Sequence, residues 1–160
     1  MPDPFPIPEL ALNKYPPVSF HFMVTFLIGG LVPNLLDIRF QKVSGISAEI
    51  ETDEIREGGE NLFRHRLPNR MSYGNLILER GMIIGSVLNV EFNLAMSTLR
   101  FQPGSVLVML LNEASTPIAS WFFQDTYPVK WAVSDLDASQ NSVVIDTMEL
   151  AYTRFQSLRI

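Results

Sequence analysis

Residues 47–67 read SAEIETDEIREGGENLFRHRL. Ala48, Ile50 and Thr52 alternate with Glu49, Glu51 and Asp53, the period-two spacing that sends successive side chains to opposite faces of a strand. A second strand-like run, residues 62–67, follows Glu57-Gly58-Gly59-Glu60. Gly-Gly between two such runs predicts a β-hairpin, because tight hairpin turns place their central residues at positive φ. With Gly58 and Gly59 as the turn, Asp53 falls opposite Arg64 and Glu51 opposite Arg66, so opposite charges share a face. The plain alternative is a solvated hairpin whose ion pairs are worth about 0–1 kcal/mol each.

Working outward, the same alternation recurs. Phe20, Phe22, Val24 and Phe26 share one face, with His21, Met23 and Thr25 on the other. Ile38 and Phe40 stand opposite Arg39 and Gln41 in a run that Ser44-Gly45 closes. Residues 76–80 form a further strand ending at Gly81. Leu88, Phe92, Ala95 and Leu99 then recur at helical spacing and predict one amphipathic helix over 86–100. Residues 106–111, apolar on both faces, and 118–124 flank a short turn and predict a central hairpin. Residues 127–133 and 143–152 supply the last strands. The fold class is mainly β: an antiparallel β-sandwich or barrel with one flanking α-helix and an extended β-hairpin. Pro2, Pro4, Pro6, Pro8 and Pro16-Pro17 block helix and ladder alike, so residues 1–17 read as an extended arm and 18–160 as one β domain.

Composition narrows function by exclusion. The 160 residues are 47% hydrophobic and 18% charged, which favours a packed core over disorder. A net charge of −5, with acids and bases interleaved, opposes binding to a phosphate backbone. Without cysteine the chain has no disulfide, thiol nucleophile or zinc–thiolate site. The N-terminus lacks the basic start and apolar core of a signal peptide, and residues 20–36 are too short and too broken by Gly29-Gly30 and Pro33 to span a membrane.

Candidate chemistry is sparse. The two histidines, His21 and His65, sit in strand patterns, where a structural or surface role outweighs proton transfer. Gly45-Ile46-Ser47-Ala48-Glu49 lacks the closing glycine and the following helix of a nucleophile elbow. Asp135-Leu136-Asp137 has too few oxygens at the required spacing for a calcium loop and reads as a polar turn. The carboxylate row at Glu49, Glu51 and Asp53 is ringed by arginines and lacks the apolar pocket that splits the pKa values of a catalytic pair. No catalytic residue, cofactor or metal site is expected.

An ordered set of segments resembles a known family. These are Phe40-Gln41-Lys42-Val43-Ser44-Gly45, Glu57-Gly58-Gly59-Glu60-Asn61, Leu67-Pro68, Asn75-Leu76-Ile77-Leu78-Glu79-Arg80-Gly81, Leu111-Asn112-Glu113, Pro128-Val129-Lys130-Trp131, and the stretch from Asp135 to Ala151. Together they are similar to the tail-tube proteins of contractile phage tails and phage-tail-like injection systems. The resemblance implies hexameric rings stacking into a hollow tube inside a sheath, with sheath, baseplate, spike-hub and related tube subunits as partners. It also implies that the hairpin reaches neighbouring subunits, which nominates Glu49, Glu51, Asp53, Arg56, Glu57, Gly58, Gly59, Glu60, Asn61, Arg64 and Arg66 as interface residues. Charge matching there would set register more than affinity.

The Pro-rich arm, and the helix segment Leu88-Asn89-Val90-Glu91-Phe92 without a tryptophan, resemble the baseplate-proximal paralogue that initiates the tube. The rival readings are a stand-alone sandwich that binds a ligand or chaperones cargo, and an enzyme of unrecognised type.

Overall fold

Strand pairing places two antiparallel sheets around one core, with a separate hairpin beside them. The computed structural model describes residues 21–27, 39–55 and 65–159. Its elements are β1 (Phe22–Leu27), β2 (Lys42–Ser44), β3 (Ala48–Ile55), β4 (His65–Tyr73), β5 (Leu76–Gly81), α1 (Val87–Thr98), β6 (Gly104–Leu111), β7 (Pro117–Val133), β8 (Ile145–Ala151) and β9 (Arg154–Arg159). The mainly antiparallel β class, with one helix among the described residues, is therefore the observed one.

β7 joins the two sheets. Its first part pairs with β6 on one side, Val108 opposite Trp121, and with β9 on the other, Phe123 opposite Phe155. Its last part pairs with β8, Trp131 opposite Met148. The sequence reading has two strands here, 118–124 and 127–133; the structure has one of 17 residues. The difference lies at Asp125, whose φ of 53° kinks the chain without ending the strand. A strand that bends and changes sheets in this way turns the corner of a sandwich. The pairing β8–β5–β2 completes one sheet, and β1–β6–β7–β9 makes the other.

The core forms where alternation meets this topology. Val24 and Phe26 from β1, Leu76 and Leu78 from β5, Val106 and Val108 from β6, Phe123 from β7, and Met148 and Leu150 from β8 are buried together. Tyr73, Phe123, Tyr152 and Phe155 pack as a ring cluster with centroid separations between 4.9 and 6.1 Å. On β7 the inward face is Ala119, Trp121 and Phe123; Phe122 points the other way. Gly45, at φ 82°, closes β2, and a Cβ there would overlap the Asn75 carbonyl oxygen.

The helix begins at Ser86, whose hydroxyl accepts from the Asn89 amide at 3.2 Å, an N-cap. Leu88 and Phe92 are buried as predicted. Leu99 is not on that face: it sits past the last turn at φ 52° and is exposed. β9 was not anticipated from sequence. β4 runs on through Pro68 to Tyr73, beyond the predicted 62–67. The predicted arm, Phe20 and Ile38 lie outside the described residues.

Candidate functional site

Every residue of β3 is exposed, as are the first seven of β4, so this hairpin projects from the body instead of lying on it. The predicted carboxylate row is present: Glu49, Glu51 and Asp53 follow one another on one face of β3. The predicted register is not. Glu54, and not Glu51, lies opposite Arg66, and Asp53 lies opposite Leu67. The pairing of Ile55 with His65 is three positions off the one a two-residue turn at Gly58-Gly59 would set. Because the slip is odd-numbered, Arg66 moves to the face away from the carboxylate row.

The residues that meet the row are ones the sequence reading passed over. The ladder shifts between Ile50 and Thr52, where Asn69 and Arg70 together face Glu51. Arg70 Nε lies 3.8 Å from Glu51, and the Asn69 amide donates to Asp53 at 3.0 Å. Arg66 Nε lies 3.8 Å from Glu54 on the other face. The signal for this bulge was Pro68: proline cannot donate to a ladder and inside sheets is confined to edges and bulges. Of the remaining nominated residues, Arg56, Glu57, Gly58, Gly59, Glu60, Asn61 and Arg64 lie outside the described residues.

The two faces of the hairpin differ in chemistry. One carries three carboxylates against a single arginine, Arg70, within its described part. The other presents Ala48, Ile50 and Thr52 opposite Tyr73, Met71 and Pro68, and its only charges there, Glu54 and Arg66, pair with each other. Ile50 is 54% and Met71 51% exposed. Two strands alone are marginally stable in water, and this hairpin leaves apolar side chains exposed on both sides.

Elsewhere the polar groups serve the fold. Arg80 is buried, with its guanidinium donating to Ser86 Oγ at 2.7 Å and Asn89 Oδ1 at 2.8 Å and lying over the Phe40 ring. Asn89 in turn reaches the buried Asp146 carboxylate, which faces Arg80 across the ladder. This network ties the helix N-terminus to β5 and β8. His21 Nδ1 lies 3.0 Å from the Asn112 carbonyl and bridges β1 to the loop after β6. Asp137 accepts from the hydroxyl and amide of Ser139, bonds that hold its carboxyl below the usual range and mark a polar turn. A cavity of about 430 Å³ between α1 and β7 is lined mainly by apolar groups, among them Phe92, Phe101, Tyr127 and Leu150. Among the described residues no cluster of three potential metal ligands occurs, and no helix is long and apolar enough to cross a membrane.

Comparison with known proteins places this architecture. The family described as T4-like virus tail tube protein gp19 matches residues 18–156. A chain of the anti-feeding prophage baseplate, solved by cryo-EM with 6-fold symmetrisation, is 40% identical with a TM-score of 0.85, covering 91% of this chain and 97% of that one. A chain of the anti-feeding prophage tube-terminating cap is 24% identical with a TM-score of 0.77, covering 92% and 93%. A chain of the PVC sheath–tube complex in its extended state is 20% identical with a TM-score of 0.76, covering 92% and 94%. No curated protein matches the chain.

Proposed function

The chain belongs to the T4-like virus tail tube protein gp19 family and is a structural tube subunit of a contractile injection system, and from that premise we propose that it forms the baseplate-proximal ring that starts the tube. The observation that carries the subtype is the 40% identity over nearly the whole chain to a component of the anti-feeding prophage baseplate, against 20% to a chain of the PVC sheath–tube complex. The ring would be hexameric, matching the 6-fold symmetry of that baseplate. Residues 18–160 form the ring domain, preceded by the arm 1–17. Its partners are further copies of itself, the next tube ring, and the baseplate, spike-hub and sheath proteins around it.

Within the ring the hairpin is the assembly element. Glu49, Glu51, Asp53 and Arg66, joined by Arg70, offer charges whose pairing across copies selects register and rejects wrong neighbours. Repetition of one heterologous contact around a closed circle gives a ring and leaves the outer sheet strands paired with neighbours instead of open. No catalytic residue, cofactor or metal enters this function.

Negative-stain images of the purified protein test it. Rings of six copies that stop at one or two layers are the expected result. A persistent monomer would overturn the assembly reading and favour a stand-alone binding module, whereas long tubes grown from this protein alone would overturn its role as initiator.

A further inference from the structure

Helix α1 has two apolar faces, and the body covers one of them. Leu88 and Phe92 are buried, but Val87, Val90 and Leu94 recur at i, i+3 and i+7 on the opposite side and are 51%, 66% and 61% exposed. Ile84, just before the helix, is 96% exposed. The sole charged residue of the helix, Glu91, flanks this row, is partly buried, and with Leu94 lines the cavity between α1 and β7. Single exposed apolar side chains are ordinary, but an exposed apolar row on a helix marks a contact surface.

The hairpin carries the matching surface. Its neutral face, centred on Ile50 and Met71, is likewise exposed and uncovered by the rest of the chain. Within one copy, β3 and β4 pack on each other and α1 packs on β7, so the two surfaces do not satisfy one another internally. The eight residues of β3 reach about 25 Å at strand rise, far enough to bridge to an adjacent molecule. Burying the opposite hairpin face against this apolar row would strip water from three carboxylates, a cost the Ile50–Met71 face avoids.

We propose that the Ile50–Met71 face of the hairpin in one copy seats on the Val87–Val90–Leu94 row of α1 in a second copy. The inference rests on the tube-subunit reading, which supplies a second copy in a repeating head-to-tail contact. It assigns the helix a role as the receiving surface and leaves the carboxylate face of the same hairpin turned toward another neighbour or the lumen.

The absence of native cysteine makes the test direct. Met71→Cys protein and Val90→Cys protein, both altered at exposed positions, are mixed as full-length chains and treated with a short bis-maleimide. A parallel mixture pairs Glu49→Cys with Val90→Cys, and both are imaged by negative stain. The expected result is rings in both samples, with a mixed crosslinked dimer from the first and none above background from the second. Rings without the Met71–Val90 product, or with equal product from Glu49, would overturn the hairpin-on-helix contact while leaving the tube-subunit reading intact. Monomers without crosslinks in either sample would overturn both.

Discussion

β3 and β5, separated in sequence by β4, are both strands with two distinct faces, yet they meet opposite environments. In β5 every second residue is buried, ending with Arg80; in β3 all eight residues face water. Their cross-strand ionic residues differ in the same way. Arg80 and Asp146 stand opposite each other at 1% and 0% exposure, whereas Glu54 and Arg66 meet at 3.8 Å in solvent. Alternation decides which side a residue takes, and only the rest of the fold decides whether that side is covered. The body completes its own core, and the hairpin is left uncovered within one chain.

That division can be broken first at its strongest point. Asp146→Ala would leave a buried guanidinium without its facing carboxylate and should cost about 3–5 kcal/mol, read as a lower urea midpoint. Phe123→Ala, which empties the centre of the ring cluster, belongs in the same range. A stability close to wild type in either variant would show that the body is less closely packed than its burial implies. Gly45→Ala should cost about 2–3 kcal/mol by thermal melting, because the residue sits at φ 82° and the new Cβ meets the Asn75 carbonyl.

Tyr152 sharpens the comparison through pH. Burial raises its hydroxyl above the ordinary 10.0. The folded state therefore favours the neutral phenol, a contribution fully present below pH 10 and lost as pH climbs through the folded-state value. Wild type should lose stability above that pH, and Tyr152→Phe should follow a flatter curve there. The smallest effect on stability belongs to the hairpin: Arg66→Glu with Arg70→Glu should shift unfolding by no more than about 1 kcal/mol. The same pair should abolish rings in negative stain, and intact rings would remove its charges from the interface.

Much of the body was legible from sequence because its residues obey one period at a time. Leu88 and Phe92 announce the helix, Ser86 caps it, and the apolar run at 106–111 finds its partner across a short turn. β9 was not legible: only Phe155 of its six residues is turned to the core, so no alternation stands out. The single long β7 was hidden at Asp125, where a polar residue in the left-handed region imitates a strand end. In the hairpin the period identified the carboxylate row, but Gly58-Gly59 suggested a two-residue turn whose register is three positions off the observed pairing of Ile55 with His65, and the bulge at Asn69 and Arg70 shifts the far end of the ladder by one more. Register and bulges are not encoded by period alone.

The most direct test is amide hydrogen exchange measured on the monomer and on the assembled ring. Amides of β3 and β4 are expected to exchange quickly in the monomer and to become protected on assembly, together with α1, while β5 and β8 stay protected in both. Equal protection of the hairpin in the two states would contradict its role as the assembly element.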